Sequence, residues 1–436
     1  MTTRLSRTEP SVVSALPPRS PVAVVGLGYV GLPLAVAFAE AGLEVVGLEA
    51  DPARAADLAA GRSHVEDVPD ERLAAVADRL EVTTDPARLA VASSISVCVP
   101  TPLSKHREPD LALLDDAVAT LARTLVRGQL VVIESTTFPG TTRDRVRPVL
   151  EAGGLRAGTD FALSYSPERI DPGNVAFGLR TTPKLVAGLT PGCTERARAL
   201  YAAICDEVVV VPSTEVAEMA KLLENVFRTV NVALVNELAM VADRMGIEIR
   251  DVIDAAATKP YGYMRFDPGP GLGGHCLPVD PFYLSWKARE FGMATEFIDL
   301  AGRVNQQMPE FCVGKVVEAL NARGLPARGA GVLVLGVAYK AGVGDVRESP
   351  SLTIIDRLRR LGADVAYHDP HVPELAGADL RSVDLEEALD AADLAVVVTA
   401  HPTVDHHAIA ARLPTVDLRG VLRGPAPVVA EAVHAA

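Results

Sequence analysis

The chain has 436 residues, of which 49% are hydrophobic and 22% charged, and its formal net charge is −14 at pH 7. This length exceeds the size at which one hydrophobic core usually stops growing, so two or three globular domains are expected. The negative charge argues against a nucleic-acid-binding protein, because such a protein needs a basic surface to meet phosphates.

Cysteine usage and the amino terminus indicate the compartment. The five cysteines form an odd set without CxxC spacing, which favours reduced thiols in the cytoplasm over a zinc site or a disulfide framework. Residues 1–20 lack an apolar core of signal-peptide length, so we interpret them as a disordered tail. No later apolar run approaches the ~18 residues of a membrane span, so no membrane partner is expected.

From Pro21 the chain alternates short apolar runs with helix-like stretches, which is typical of a parallel sheet with crossover helices. The runs are PVAVVGLG, EVVGLEAD, SISVCVP, LVVIEST and FALSYSPER. They predict a Rossmann-like α/β domain over residues 21–213.

A long segment with a 3.6-residue apolar period follows, from about Glu215 to Met245, with Ser213 and Thr214 as N-cap candidates and Gly246 as its end. Helices of this length often link domains or lie in oligomer interfaces, so we expect a helical middle domain over residues 214–310 and a homodimer or higher homo-oligomer. The runs GVLVLGVAYK, DVAYHDP, DLAVVVTAH and PTVDLRG then predict a second parallel sheet over residues 311–436. The predicted fold class is therefore α/β, with two Rossmann-like parallel-sheet domains joined by a long central helix and a helical middle domain.

Gly26, Gly28 and Gly31 form a GxGxxG motif between an apolar strand and an apolar helix, the context that a dinucleotide fingerprint requires. Glu49 lies about 20 residues further on, where an acid binds ribose hydroxyls and favours NAD over NADP. Arg54 complicates that choice, because an arginine can accommodate a 2′-phosphate. A glycine turn without a ligand is the less favoured alternative.

The stretch GPGLGGHCLPVD, residues 269–280, is too rich in glycine to be helical before its end, so it predicts a loop close to a ligand. A cysteine is most often a small buried hydrophobe, but Cys276 lies in this loop, four residues before Asp280. Its thiolate can attack an aldehyde and hold a thiohemiacetal, which oxidation converts to a thioester that water cleaves.

Lys221 and Asn225 are spaced i, i+4 on the long helix and share one face, which Arg228 is expected to continue. A lysine in a closed site can stabilise an oxyanion, and an amide can orient a substrate. The alternative is a solvated lysine and a surface asparagine. His401, His406 and His407 match no zinc spacing, so we expect no metal and a loop with exposed histidines.

Several motifs together resemble the UDP-glucose/GDP-mannose dehydrogenase family, from Gly26 to about Arg419. They are GLGYVGLPLA, ESTTFPGTT, SPERIDPG, KLLENVFRTVNVALVNE, GPGLGGHCLPVDP and GVAYKAGVGDVRESPS. The resemblance implies a four-electron oxidation by two NAD molecules, a dimer-forming central helix and a carboxy-terminal domain for the nucleotide.

The resemblance also implies site residues. Cys276 looks like the nucleophile, Glu168 like the carboxylate that assists thioester hydrolysis, and Lys221 like the holder of the oxyanion. Asn225 resembles the substrate-orienting amide, and Asp280 and Thr136 resemble the partners of an ordered water. The implied NAD contacts are Gly26, Gly28, Tyr29, Val30, Gly31, Glu49, Arg54, Thr101, Thr136 and Arg347, although the family usually has aspartate in place of Glu49. The implied substrate contacts are Glu168, Arg169, Lys221, Asn225, Arg265, Gly273, Tyr339, Lys340 and Arg419, with Arg265 reaching the substrate of its own or of a neighbouring subunit.

The substrate branch follows from the same resemblance. His275 before the nucleophile, with SPER and PGPG, resembles the branch that oxidises UDP-N-acetylmannosamine or UDP-N-acetylglucosamine for surface polysaccharides. The alternatives are a UDP-glucose or GDP-mannose 6-dehydrogenase, a two-electron hydroxyacid dehydrogenase, and a non-catalytic NAD-binding protein.

Overall fold

The central strands of the first sheet are four-residue apolar runs that are buried along their whole length, such as Val22–Val25 and Leu130–Ile133. Burial of every residue requires cover on both faces, which crossover helices give to a parallel sheet. The structure, a computed structural model, describes residues 21–171, 176–274 and 276–423, and divides into units of residues 1–224 and 225–436. The tail predicted for residues 1–20 lies outside the described residues.

The sheet of the first unit has eight strands. They are β1 (Val22–Val25), β2 (Val45–Leu48), β3 (Leu80–Thr83), β4 (Ser94–Val97), β5 (Leu130–Ile133), β6 (Ala162–Tyr165), β7 (Lys184–Gly188) and β8 (Val208–Val210). Their order is β3-β2-β1-β4-β5-β6-β7-β8, and neighbours are parallel except β6 and β7. The strand order reverses between β1 and β4, which is where doubly wound sheets bind ligands.

Helices connect these strands. They are α1 (Gly31–Glu40), α2 (Pro52–Ala59), α3 (Asp70–Ala74), α4 (Ala112–Thr124), α5 (Arg147–Glu151) and α6 (Pro191–Tyr201), with a 3-10 turn at Pro86–Val91 and a π-helical turn at Thr141–Val146. The start of α2 follows from its sequence: the Asp51 carboxylate accepts the amides of Ala53 and Arg54, and Pro52 occupies the first turn.

The long helix α7 (Thr214–Met245) contains the division between the two units. The Ser213 hydroxyl accepts the amide of Val216 near its start, and Gly246 follows its end with a φ of 69°. The predicted limits of this helix are therefore confirmed.

The second unit continues with helices and a smaller sheet. Its further elements are α8 (Ile249–Ala257), α9 (Asp280–Arg289), α10 (Glu296–Ala322), β9 (Gly331–Leu335), α11 (Pro350–Arg360), β10 (Asp364–His368), β11 (Glu374–Leu375), a 3-10 turn at Ala376–Ala378, β12 (Leu380–Arg381), α12 (Leu385–Ala391), β13 (Leu394–Val397), α13 (His406–Arg412) and β14 (Thr415–Asp417). The four-stranded sheet has the order β10-β9-β13-β14 and is parallel throughout, whereas β11 and β12 form an antiparallel pair.

Alternate residues of β9 pack into different clusters, Val332 and Val334 into one and Leu333 and Leu335 into another. The second sheet is therefore covered on both faces. The predicted α/β class, with two largely parallel sheets separated in sequence by a long helix, is confirmed, and the antiparallel β6–β7 pair is the departure from it. Within the described ranges, no helix has the length and apolarity needed to cross a membrane.

Candidate active site

The residues predicted to bind the dinucleotide follow the strands of the first sheet. The glycine turn follows β1, Glu49 follows β2, Thr101 follows β4 and Thr136 follows β5. Because these strands are parallel, their carboxyl ends lie at one edge of the sheet. Glu168 follows β6, which is parallel to β5, and so belongs to the same edge. The turn itself comprises Gly26, Leu27, Gly28, Tyr29, Val30 and Gly31.

The three glycines of the turn differ in what requires them. Gly26 has a φ of 87°, and a Cβ there would lie 2.9 Å from the carbonyl oxygen of Cys98. A Cβ at Gly31 would collide with the carbonyl oxygen of Gly26. A Cβ at Gly28 would meet no protein atom within 4 Å. Protein packing thus explains Gly26 and Gly31, whereas the open side of Gly28 beside the start of α1 fits the close approach of a pyrophosphate.

Glu49, the predicted ribose contact, also braces this turn. It is 5% exposed, and its two oxygens accept the amides of Leu27 at 3.1 Å and Asp51 at 3.0 Å. Arg54 approaches the same carboxylate at 3.5 Å from the solvent side. A carboxylate has about four lone-pair sites, so Glu49 can still accept hydrogen bonds from ribose hydroxyls.

The loop after β5 is fixed by side chains from other elements. The hydroxyl of Thr101 donates to the carbonyl of Thr136 at 2.7 Å, so two predicted NAD contacts meet. Glu218 of α7 is fully buried and accepts the amide of Gly140 at 2.6 Å and both the amide and the hydroxyl of Thr142, at 2.9 and 2.7 Å. Burial outweighs these hydrogen bonds and raises the pKa of Glu218 to about 7. Glu218 was not predicted from the sequence.

A second buried polar cluster surrounds Glu168. Lys184 donates to Glu134 at 2.6 Å and lies 3.4 Å from Glu168, while Tyr201 donates to the other oxygen of Glu134 at 2.6 Å. Burial by itself would lower the pKa of Lys184, but the charges of Glu134 and Glu168 raise it above its ordinary value. Burial and the charge of Glu134 raise the pKa of Tyr201 well above 10. Glu134, Lys184 and Tyr201 were not predicted from the sequence, since a lone charge beside an apolar strand does not identify its partner.

Neighbours in the SPER motif and on α7 are also held in place. One oxygen of Glu168 accepts the amides of Arg169 and Ile170, each at 2.6 Å. The Arg169 guanidinium pairs with Glu224 of α7 at 2.8 Å. Lys221 is 6% exposed, so the alternative of a solvated surface lysine is wrong.

In the second unit, α7 holds the turn that carries Cys276. Asn225 donates to the carboxylate of Asp280 at 2.6 Å, and these side chains belong to residues that are 5% and 4% exposed. The carbonyl of Cys276 accepts the amides of Val279 at 3.1 Å and Asp280 at 2.8 Å, just where α9 begins. Cys276 itself is exposed, so it is not the buried hydrophobe that a lone cysteine usually is.

Two further residues of α7 secure the same loop. The hydroxyl of Thr229 donates to the carbonyl of Leu277 at 3.2 Å, and Asn236 accepts the amide of Gly269 at 2.9 Å. Arg228 was expected on the face of α7 that Lys221 and Asn225 share, but it is exposed. That expectation was wrong, because the buried face of the helix continues through Thr229. Thr229 and Asn236 were missed, since neither residue type is distinctive on an amphipathic helix.

The glycine loop packs against the residues that follow β9. A Cβ at Gly273 would lie 2.7 Å from the Tyr339 Cβ, and one at Gly274 would lie 2.8 Å from the Tyr339 ring. Gly274 also donates to the carbonyl of Arg347 at 3.0 Å. Lys340, next to Tyr339, is partly buried. The structure thus brings together Gly273, Tyr339 and the Arg347 backbone, and His275 lies outside the described residues.

Arginines surround the start of this loop. An Arg419 nitrogen lies 2.8 Å from where a Cβ of Gly269 would stand. Arg265 pairs with Asp254 at 2.5 Å and with Asp267 at 2.8 Å, and these bonds raise its pKa. The Arg347 guanidinium pairs with Asp345. The charges of Arg265 and Arg347 are thus balanced by acids within the second unit.

The carboxyl edge of the second sheet contains a buried aspartate–histidine pair. His401 lies 3.0 Å from Asp369, and its other ring nitrogen accepts the amide of Gly342 at 3.1 Å. Burial would raise the pKa of Asp369, but hydrogen bonds from His401 and from backbone amides lower it to about 2. The expectation of exposed histidines is wrong for His401 and for His406, because both are buried. Among the described residues, no group of three or more His, Cys, Asp or Glu is placed to hold a metal ion.

Each unit contains residues with recognisable chemistry. The first unit has a dinucleotide turn, a buried lysine and a carboxylate held by backbone amides, and the second unit has an exposed thiol on a fixed turn. Proteins with the same organisation are known. Family models match residues 20–205 as the NAD binding domain, 215–307 as the central domain and 333–424 as the UDP binding domain of the UDP-glucose/GDP-mannose dehydrogenase family.

Individual relatives cover most of the chain. A UDP-N-acetyl-D-mannosamine dehydrogenase of Pyrococcus horikoshii is 37% identical over 87% of this chain and 89% of its own length. A UDP-N-acetyl-D-glucosamine 6-dehydrogenase of Pseudomonas aeruginosa is 39% identical over 80% of this chain and 83% of its own. The solved structure of a UDP-D-ManNAc dehydrogenase from P. horikoshii superposes with a TM-score of 0.84 at 35% identity, covering 93% of this chain and 96% of that one. The chain therefore belongs to the UDP-glucose/GDP-mannose dehydrogenase family and is an NAD-dependent nucleotide-sugar 6-dehydrogenase.

Proposed function

We propose that the chain oxidises the C6 alcohol of UDP-N-acetylmannosamine or UDP-N-acetylglucosamine to the uronate, with Cys276 as the covalent nucleophile. The observation that supports this chemistry is the turn that contains Cys276 and Asp280. Cys276 is exposed there, and the buried Asp280 accepts a hydrogen bond from Asn225 at 2.6 Å. The activities named for the relatives from P. horikoshii and P. aeruginosa support an N-acetylated UDP-sugar.

The reaction proceeds in two oxidations. The alcohol becomes an aldehyde, and the Cys276 thiolate bonds to the aldehyde carbon to give a thiohemiacetal. A second oxidation gives a thioester, which water cleaves while the electron pair of the C–S bond returns to sulfur. Bound NAD supplies the hydride acceptor for each oxidation. One alcohol, two NAD and one water thus give one carboxylate, two NADH and three protons.

The other catalytic residues take roles that suit their chemistry. Lys221 holds the developing oxyanion, and Asn225 orients the sugar hydroxyl. Asp280 and Thr136 hold an ordered water that takes part in proton transfer, and Glu168 accepts the proton of the hydrolytic water. Low exposure of Lys221, Asn225 and Asp280 supports these roles, because electrostatic interactions are stronger away from water.

The nucleotide is assigned to the second unit. Tyr339 and Lys340 bind the diphosphate, with Gly273 packed against Tyr339 and with Arg419 at the start of the same loop. Arg265 reaches a substrate phosphate only by exchanging its bonds to Asp254 and Asp267, in its own or in a neighbouring subunit. In domain terms, residues 21–213 bind NAD, 214–310 form the dimerisation domain, and 311–436 bind UDP. Arg347 remains a proposed NAD contact.

The proposed assembly is a homodimer through α7. Exposed apolar side chains recur along that helix from Phe227 to Met245 at spacings of three, four or seven residues. This period marks one helical face that water does not favour, and a second copy would cover it. The side chains are Phe227, Leu234, Leu238, Val241 and Met245.

An NADH assay with four sugars tests the function. UDP-N-acetylmannosamine, UDP-N-acetylglucosamine, UDP-glucose and GDP-mannose are each supplied in limiting amount, and the NADH formed per sugar is counted. We expect two NADH per molecule with an N-acetylated UDP-sugar. Preference for UDP-glucose or GDP-mannose would overturn the substrate assignment, and one NADH per sugar would overturn the four-electron mechanism.

Cysteine variants test the covalent step. Cys276→Ser should stop carboxylate formation, because a serine hydroxyl stays almost entirely un-ionised at neutral pH and is a far poorer nucleophile than a thiolate. Cys205→Ala is the matched control, since burial raises the pKa of that thiol to about 11 and keeps it protonated. Full turnover to the carboxylate by Cys276→Ser would exclude the covalent mechanism.

A further inference from the structure

Lys184 begins β7 in the first unit, and its ammonium group is buried, with 3% of the side chain exposed. It has three acceptors: Glu134 at 2.6 Å, the carbonyl of Pro167 at 3.2 Å, and Glu168 at 3.4 Å. Burying an ammonium is costly unless it is paired and hydrogen-bonded. The cluster therefore has a defined charge arrangement, with one cation between two carboxylates.

The two carboxylates differ in what they are free to do. Both oxygens of Glu134 are engaged, one by Tyr201 and one by Lys184, and its side chain is fully buried. Glu168 uses one oxygen for two backbone amides, and its other oxygen faces Lys184 with 12% of the side chain exposed. Glu134 is thus enclosed as the partner of the cation, whereas Glu168 retains access to solvent.

We infer that Lys184 is a positioning residue for the hydrolytic step, because it orients the Glu168 carboxylate to accept the proton of water. This inference rests on the proposed role of Glu168 in hydrolysis. As the water oxygen bonds to the thioester carbon, one proton passes to Glu168 and the C–S electron pair returns to sulfur. The new carboxylic acid then loses its proton to solvent. An ammonium group has three N–H donors, and one of the three acceptors here is Glu168 itself, the carboxylate that retains access to solvent.

The raised pKa of Lys184 supports a permanent cation at this position. Removal of that cation takes away the side-chain donor that faces the second oxygen of Glu168, so the carboxylate would no longer be held in one orientation. Because rate depends on the geometry of the reacting groups, proton transfer from water to Glu168 should slow.

The test uses the double variant Lys184→Met/Glu134→Gln, which removes the cation together with its enclosed partner and so avoids an unpaired buried carboxylate. Lys184→Arg is the conservative variant, and Tyr201→Phe is the matched control that removes a buried hydrogen bond but leaves Lys184 beside Glu168. Each is assayed for the rate of carboxylate release and for thioester on Cys276 by intact-protein mass spectrometry. Melting temperature checks the fold.

In the double variant we expect thioester to accumulate on Cys276 and carboxylate release to fall about tenfold, since proton transfer depends on a well-placed base. Lys184→Arg should recover much of the rate, and Tyr201→Phe should release carboxylate at close to the original rate without accumulating thioester. A folded double variant that accumulates no thioester and releases carboxylate at the original rate would overturn the inference. The variant Glu168→Gln distinguishes failure of the Lys184 inference from failure of the proposed role of Glu168. If Glu168→Gln slows hydrolysis and the double variant does not, the inference fails and the proposed function stands. If Glu168→Gln hydrolyses normally, the role of Glu168 fails and the inference fails with it.

Discussion

At the residue scale, the turn that carries Cys276 depends on hydrogen bonds from side chains that look ordinary in the sequence. Thr229 donates to the carbonyl of Leu277, the residue after the nucleophile. A small displacement of a reacting group is costly, because rate depends on near-attack geometry. Thr229 is therefore expected to affect the reaction without touching the substrate.

We predict that Thr229→Val lowers the free energy of unfolding by about 1 kcal/mol, since it leaves a partly buried carbonyl without its donor at almost unchanged volume. Its kcat should fall while binding of the UDP-sugar changes little. Thr229→Ser, which keeps the hydroxyl, is the control and should retain most of the rate. Denaturant unfolding and steady-state kinetics make the comparison, and equal kcat values for the Val and Ser variants would contradict it.

Glu218 provides a pH-dependent prediction. Its pKa in the folded chain is about 7, above its usual 4.5, so the folded state favours the protonated acid. The stabilisation is therefore fully present below about pH 4.5 and is lost as the pH rises towards 7, amounting to roughly 3 kcal/mol. We expect Glu218→Gln to remove this pH dependence, because glutamine does not titrate. Its NH2 group would face the Gly140 N–H, so two donors would oppose each other and stability at acidic pH should fall. Unfolding measured across that range checks the slope, and equal slopes in both proteins would refute it.

At the element scale, substitutions in the glycine turn between β1 and α1 distinguish a glycine that is needed for packing from one that is needed for NAD binding. Gly28→Ala should fold with nearly unchanged stability, because its Cβ would meet no protein atom within 4 Å and its φ is not positive. The same change should weaken NAD binding by about tenfold or more, or roughly 1.4 kcal/mol, if the pyrophosphate approaches that side. Gly31→Ala is the counterpart and should destabilise the fold itself, since its Cβ would collide with the Gly26 carbonyl. Calorimetric titration with NAD and thermal unfolding distinguish the two, and unchanged NAD affinity in Gly28→Ala would be the contrary result.

Elements and local motifs are also what the sequence predicted best. The glycine turn, the long helix and the loop before Asp280 each have a local signature: strand–glycine–helix order, a 3.6-residue period, or a run of glycines. The cluster around Lys184 has none, because Glu134 lies 50 residues away in the chain and meets Lys184 only through the sheet. The strand β7 was also missed, because it begins with the charged Lys184 and is not a continuous apolar run. His401 was misjudged because a polar loop gives no sign that Asp369, 32 residues earlier, will bury it.

At the scale of the whole molecule, the apolar face of α7 leads to a prediction about assembly. Phe227, Leu234, Leu238, Val241 and Met245 are each 46–65% exposed in the single chain. Full burial of an exposed side chain of this kind contributes about 1.5–3 kcal/mol, and covering the exposed half of each contributes roughly half of that, so together they favour association of two copies.

The chain should therefore elute as a dimer of 45.9 kDa subunits, with light scattering as the measure of mass. Leu234→Glu/Leu238→Glu would place two carboxylates in the interface, and burial of an unpaired charge there is unfavourable enough to produce monomers. Glu237→Lys, an exposed charge change on the same helix, is the control and should remain dimeric.

If the substrate phosphate is bound by Arg265 of a neighbouring subunit, the monomeric variant should also lose affinity for UDP, whereas NAD affinity of the first unit should be kept. A double variant that remains dimeric would show that another surface makes the interface.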